Sequence, residues 1–246
     1  MIKIPQTLIN LLKQATKVAV LTGAGVSAES GVPTFRDAQT GLWAQYDPES
    51  LATPQAFRAD PELVWNWYAW RRDLCAGVQP NPGHYALAQM EKHISTFDLF
   101  TQNVDDLHDQ AGSQRITRFH GNLFGVKCFD RHHIIENWQQ LKGTPPSCPE
   151  CGSYLRPDVV WFGEALPINV IEQAVDAVRQ ADVVFSIGTS SLVMPAAAVP
   201  VEALKAGVPV IEINPNPTPL TDHTTLALRG KSGEILPALV NAVWGE

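Results

Sequence analysis

The run KVAVLTGAGVSA, residues 17–28, decides the fold. Between Lys17 and Thr22 every residue is apolar, as in a strand buried on both faces. GAGVSA (23–28) then fits Gly-x-Gly-x-x-Gly/Ala at a strand-to-helix junction. In that pattern Gly23 permits a tight turn and Gly25 lets backbone approach a pyrophosphate. Ala28 keeps helix and strand close, and the helix N-terminus favours the phosphate charge. Taken alone, the loop suits an ordinary βα turn equally well.

Working outward, three more runs read as strands: TFDLFTQ (96–102), ADVVFSIG (181–188) and VPVIEIN (208–214). Helical apolar spacing occupies 61–75, 83–93, 167–180, 196–206 and 233–243, and Ile4, Leu8, Leu11 and Leu12 mark a surface helix near the start. Nearly all-apolar strands alternating with helices predict an α/β fold, a parallel sheet with helices on both faces. Two regions break the rhythm. Residues 37–82 are Trp-rich and helical, and 121–157 gather Cys, His and Pro. Both read as insertions. The sheet domain is then discontinuous, over 1–36, 83–120 and 158–246, with a helical module at 37–82 and a small module at 121–157.

A dehydrogenase carries a second strand with an acidic end about 20 residues after its glycine loop. Here that window reads GLWAQYDPESLATP (41–54), without a strand pattern. Dinucleotide binding fits the sequence; hydride transfer is disfavoured.

With 246 residues, 45% hydrophobic and 17% charged, the chain suits one large domain or one carrying an insertion. A net charge of -7 argues against a broad nucleic-acid or membrane footprint. No apolar run is long enough to span a bilayer, and the start lacks the long apolar stretch of a secretory signal. A cytoplasmic protein is expected. Four cysteines in a chain this long are not a disulfide scaffold.

Polar groups collect where the strands end. Gln102, Asn103 and Asp105 follow the second strand, GTSS (188–191) the third, and NPNP (214–217) the fourth. Ligands of open α/β sheets bind outside such ends. Asn103 or Asp105 would also serve as a helix cap. His120, in RFHG, is a candidate general base.

CPEC (148–151) is a Cys-x-x-Cys knuckle, and Cys128 lies upstream in KCFDRHH. A structural zinc takes four ligands. Arg131 stands where a second pair would place its second cysteine, so His133 is the substitute, with His132 and Asp130 as weaker choices. A metal-free knuckle is the alternative. Cys75, in a helical apolar pattern, reads as a buried free thiol.

GAGVSAESGVPTFRD, TQNVDD, HGN, CPEC, VVWFGE, GTSS and INPN occur here in the order seen in sirtuins, and from residue 17 to the C-terminus the chain resembles that family of NAD-dependent protein lysine deacylases. The resemblance implies a Rossmann-like domain with a zinc-ribbon module and a helical module. It implies that Gly23, Ala24, Gly25 and Ser27 line the NAD phosphate loop, and that Thr34, Phe35, Arg36 and Trp43 belong to a segment covering the nicotinamide ribose. Gln102, Asn103 and Asp105 would hold the ribose and nicotinamide. Gly188, Thr189 and Ser190, with Asn214, Pro215 and Asn216, would meet the adenosine half, and Gly230 and Lys231 would flank the adenine. His120 would be the base, assisted by Asn103. Val160, Trp161, Phe162 and Gly163 would pair, strand-like, with the substrate peptide. Zinc, held by Cys128, His133, Cys148 and Cys151, would be structural, and NAD a consumed co-substrate. The implied products are free lysine, nicotinamide and an O-acyl-ADP-ribose.

Within WNWYAWRR (65–72), Tyr-x-x-Arg resembles the signature of class III sirtuins, which remove succinyl, malonyl and glutaryl groups. Residues three apart share a helix face, so Tyr68 and Arg71 would point together into an acyl pocket. Arginine's fork matches a carboxylate. The alternative makes Arg71 a surface charge, as Arg72 is expected to be. Trp65, Trp67 and Trp70 read as packing residues. Acylated lysine side chains are the expected partners, with no membrane or nucleic acid. A deacetylase without acidic preference and a mono-ADP-ribosyltransferase are the rival activities.

Overall fold

The computed structural model describes residues 2–34 and 45–245. Helix α1 (Gln6–Gln14) leads into β1 (Lys17–Thr22) and the single turn α2 (Ala24–Ala28). Four helices follow: α3 (Pro48–Leu51), α4 (Pro54–Ala59), α5 (Pro61–Ala76) and α6 (Pro82–His93). Then come β2 (Thr96–Thr101), α7 (Leu107–Gln110), β3 (Ile116–Arg118), β4 (Gly121–Cys128) and β5 (Leu155–Val159). The chain finishes with α8 (Ile168–Gln180), β6 (Val183–Ile187), α9 (Val199–Lys205), β7 (Val210–Asn214), β8 (Leu226–Arg229) and α10 (Ser232–Trp244).

Six strands form one parallel sheet in the order β3-β2-β1-β6-β7-β8. Side chains alternate across it. Val18, Val20, Phe97, Leu99, Phe185 and Ile211 pack against α1, α6 and α10. Ala19, Leu21, Phe100, Val184 and Val210 pack against α8 and α9 on the opposite face. Burial on both faces explains the near-continuous apolar runs. The order reverses at β1, which pairs with β2 on one side and β6 on the other. A crevice opens outside the carboxyl ends at such a switch point.

The helix starts are written in side chains. Asp60 accepts the Leu63 N–H at the head of α5, with Pro61 in the first turn. Asn81 accepts from Gly83 N–H at the head of α6, while His84 Nδ1 accepts from Asn81 N–H.

The two rhythm-breaking segments pack on each other. β4 and β5 are antiparallel, pairing Gly121 with Val159 and Cys128 with Leu155. Val64, Trp67 and Tyr68 of α5 lie in one cluster with Leu123, Val159 and Trp161, while Trp65 packs with Val126, Cys128 and Cys148. Trp65 and Trp67 are core residues and Trp70 packs beside them. Arg72 departs from expectation. It is buried, its guanidinium 4.9 Å from the Trp65 ring and 5.1 Å from the Trp138 ring. A guanidinium is weakly hydrated and stacks on aromatic faces, which is how the charge is tolerated there.

Candidate active site

The loops after β1, β2, β6 and β7 surround a cavity of about 1000 Å³. That is the upper end of small-molecule sites, which run from roughly 300 to 1,000 Å³.

The glycine loop forms its floor. Gly23, Ala24, Gly25 and Ser27 line the cavity. The reason for glycine at 25 differs from the expected one. A Cβ there would lie 2.6 Å from the Gly188 carbonyl oxygen, and the Gly25 N–H already donates to that oxygen at 2.8 Å. The close approach that demands glycine is to the chain's own β6 loop. The following helix, α2, spans only Ala24–Ala28, so the dipole expected of it is small.

The strand ends are stitched together by side chains. Gln102 Nε2 donates to Thr189 Oγ1 at 3.0 Å, and Asn214 Nδ2 donates to the Thr189 carbonyl at 2.9 Å. Asn103 Nδ2 donates to Ser27 Oγ at 2.9 Å. The Asn103 Oδ1 atom is buried and meets no donor among the described residues. Such an acceptor lacks a partner that a ligand N–H or O–H would supply. Asp105 both caps and lines: its Oδ1 accepts from Leu107 N–H at 3.1 Å. Burial raises its pKa, partly opposed by the Ser27 hydroxyl and the Leu107 N–H.

His120 is half-buried on the same cavity, with Nδ1 2.9 Å from the Gln102 carbonyl oxygen. Burial lowers its pKa, and the bond to Gln102 works in the other direction. The imidazole is therefore neutral near pH 7. Behind the glycine loop lies a feature the sequence reading missed. His108 Nε2 is 3.0 Å from Thr22 Oγ1, and its ring stands edge-on to that of His84, 4.8 Å away.

Thr34, Ser190 and Asn216 also line the cavity. Pro215, Gly230 and Lys231 do not. Gly230 sits past β8, its N–H 3.4 Å from the Asn214 carbonyl, and Lys231 leads into α10. Phe35, Arg36 and Trp43 lie outside the described residues.

Tyr68 and Arg71 line the cavity too, and Cys75 one turn on is buried beside them. Burial pushes the Cys75 thiol up to about 11, as befits an inert thiol. Val160, Trp161, Phe162 and Gly163 reach the cavity but are not in a strand. The Val160 N–H is taken by the His120 carbonyl and the Phe162 N–H by the Ala52 carbonyl. Trp161 is 1% exposed, a core residue whose indole donates to Tyr68.

Away from the cavity, donor atoms of Cys128, His133 and Cys148 lie within 4.8 Å of one another. Cys128 Sγ is 3.5 Å from Cys151 Sγ, and Cys148 Sγ is 3.5 Å from His133 Nε2. Tetrahedral zinc with bonds of about 2.3 Å to sulfur and 2.0 Å to nitrogen sets its donors roughly 3.5–3.8 Å apart, so the Cys128, His133 and Cys148 group is compatible with one structural zinc, and Cys151 meets that spacing at Cys128. His133, not His132 or Asp130, belongs to that group.

A profile described as the Sir2 family matches residues 23–195. NAD-dependent protein deacylase 1 of Pseudomonas aeruginosa is 46% identical over 243 residues, covering 96% of this chain and 97% of its own. NAD-dependent protein deacylase 1 of Archaeoglobus fulgidus is 48% identical over 239 residues, 97% of each. Among solved structures, a Sir2 homolog–NAD complex superposes with a TM-score of 0.91 at 46% identity, covering 98% of this chain and 94% of the other. A Sir2 bound to acetylated peptide gives 0.87 at 25% identity, covering 99% and 100%.

Proposed function

The chain belongs to the Sir2 family, and from that premise we propose that it is an NAD-dependent protein lysine deacylase that prefers acidic acyl groups. Supporting the acidic preference is one observation: the cavity that holds the glycine loop and His120 is also lined by Tyr68 and Arg71. Arg71 is the single Lys or Arg among the described lining residues. In a chain of net charge -7, a carboxylate entering that cavity would meet Arg71 as the one cation among its described lining residues.

NAD supplies the electrophilic ribose carbon, with nicotinamide as its leaving group. The Asn103 Oδ1 atom and the amide and hydroxyl groups of Gln102, Thr189 and Asn214 would hold it. His120, with its Nδ1 proton engaged on the Gln102 carbonyl, offers Nε2 as the base toward a ribose hydroxyl. Arg71 would bind the acyl carboxylate through its fork and Tyr68 would donate its phenol proton. Succinyl, malonyl or glutaryl groups would leave as O-acyl-ADP-ribose, and acetyl more slowly. Zinc on Cys128, His133, Cys148 and Cys151 would be a closed structural site. Among the described residues no helix is long and apolar enough to cross a membrane; a cytoplasmic location accords with that.

The test is a set of lysine peptides carrying acetyl, malonyl, succinyl or glutaryl groups, incubated with NAD and followed by mass spectrometry. Fastest loss of the acidic groups is expected. Preference for acetyl-lysine would remove the acidic reading, and ADP-ribose appearing on protein would replace deacylation with transfer.

A further inference from the structure

Tyr68 is 3% exposed, and Trp161 Nε1 donates to its hydroxyl oxygen at 2.9 Å. An indole N–H only donates, so the phenol oxygen is the acceptor of this pair. The phenol's own proton is then committed elsewhere. Tyr68 lines the cavity together with Arg71, so a carboxylate bound there would be an acceptor for that proton. Burial pushes the Tyr68 pKa up to about 12, so the proton stays on at working pH.

Trp161 is held unusually firmly. The Arg156 guanidinium, 0% exposed, is centred 3.3 Å from the indole ring centroid. Arg156 Nη2 donates to the Val159 carbonyl at 2.8 Å and to Glu164 Oε2 at 2.9 Å. Glu164 in turn accepts from the Trp161 backbone N–H at 2.9 Å. Burial works against the Glu164 charge, but Arg156 and that N–H outweigh it and hold the carboxyl below the usual range. Phe57 flanks the ring at 5.3 Å. An ion pair, a stacked cation and an aromatic neighbour thus fix one N–H on one hydroxyl.

We propose that Trp161 is a positioning residue for acyl-group selectivity: its indole N–H pins the Tyr68 hydroxyl as an acceptor, so that the phenol proton is presented to a carboxylate bound by Arg71. This deepens the acidic-acyl reading and rests on it. It gives the tryptophan of VVWFGE a duty distinct from backbone contact with a peptide.

The experiment compares kcat/KM on succinyl-lysine and acetyl-lysine peptides for wild type, Trp161→Phe, Tyr68→Phe, Arg71→Met and the Trp161→Phe/Tyr68→Phe pair. Phenylalanine keeps an aromatic ring and removes the N–H. The succinyl-to-acetyl ratio should fall about tenfold in Trp161→Phe, mostly through KM for the succinyl peptide, as when a misaligned phenol loses its hydrogen bond to the charged acyl carboxylate. The double variant should fall no further than Tyr68→Phe, because both act through one bond. An unchanged ratio in Trp161→Phe, beside reduced ratios in Tyr68→Phe and Arg71→Met, overturns the positioning role and leaves the acidic reading standing. A wild type that favours acetyl-lysine overturns both. A second measurement covers the case in which Trp161→Phe does not fold. In wild-type protein labelled with ¹⁵N-tryptophan, without NAD, the Trp161 indole N–H resonance should move further downfield with succinyl peptide than with acetyl peptide, since a carboxylate that polarises the phenol strengthens the N–H···O bond behind it. Equal movement with both peptides refutes the proposal.

Discussion

His120 Nδ1 sits 2.9 Å from the Gln102 carbonyl oxygen, so the backbone of the loop after β2 sets which nitrogen of the imidazole faces the cavity. A carbonyl accepts only, so Nδ1 carries the proton and Nε2 is the free base. Burial lowers the His120 pKa more than the bond to Gln102 raises it. In the proposed mechanism the active form is the deprotonated one. The acidic limb of kcat/KM should therefore inflect below the ordinary imidazole value of about 6.5, with a plateau above it. A limb inflecting above 7 contradicts this. His120→Ala should lose turnover by roughly 10²–10⁴-fold while NAD binding, measured by calorimetry, survives.

Arg71→Met keeps an unbranched apolar stem and removes the fork. Desuccinylation should fall by roughly 10–100-fold in kcat/KM, the range expected for a charge-assisted pair. Deacetylation should fall far less, because acetyl brings no carboxylate. Equal losses on both peptides would reassign Arg71 to general packing against Trp67, 5.3 Å from its guanidinium.

Gly25→Ala puts a methyl group 2.6 Å from the Gly188 carbonyl oxygen, with backbone on both sides of the clash. The loops after β1 and β6 must separate. A loss of about 1–3 kcal/mol is expected for such overpacking, read as a lower urea midpoint, together with weaker NAD binding. A normal midpoint would show that the loops move apart freely.

The strands that the sequence announces are those whose two faces are both covered. β1, β2, β6 and β7 are nearly unbroken apolar runs because helices lie above and below them. β3 and β8 escape notice: ITR and LALR are short edge strands with half-buried or exposed side chains. β4 and β5 escape for another reason. β5 contains Arg156 and Pro157, poor signs of a strand, yet Arg156 is wholly enclosed by its pairing with Glu164 and its stack on Trp161. Periodicity carries no trace of partners so distant in sequence. For the same reason Arg71 and Arg72 look alike as letters, while successive helical residues point about 100° apart and meet different surroundings. The cavity groups were legible because they follow strand ends. The Trp161–Tyr68 bond joins positions 93 residues apart and was not.

Stability should depend on acid through the buried histidines. Burial lowers the His84 pKa to about 4, and His108 is lowered well below the ordinary imidazole value by burial, by His84 and by Arg118. Each imidazole is neutral in the fold and takes up a proton freely only on unfolding. Acid thus favours the unfolded chain: the contribution is complete above about pH 6.5 and is lost as pH falls toward 4. For His84 alone this is about 3 kcal/mol across that window. Chemical denaturation between pH 7 and 4.5 should show a steep decline that His84→Gln makes shallower. An unchanged slope in that variant would place the acid sensitivity elsewhere.

Metal analysis should find one zinc per chain. Prolonged chelation, or Cys151→Ser, should lower the thermal midpoint by several degrees, since about 2–4 °C accompanies each kcal/mol in a chain of this size. Chelation without any shift would show that the Cys128–His133–Cys148–Cys151 cluster stands without metal.

One eight-residue strand, β4, begins at the residue after His120 and ends in Cys128. Its near end is clamped: Gly121 has a φ of +81°, and any Cβ there would lie 2.0 Å from the Asp158 carbonyl oxygen, so strand and partner interlock at that point. The far end carries Cys128, one of the groups that would hold zinc. Damage to this molecule therefore has a direction. Oxidation or chelation would act on β4 at its thiol end, roughly 25 Å of extended chain away from the imidazole, with the interlock at Gly121 lying between.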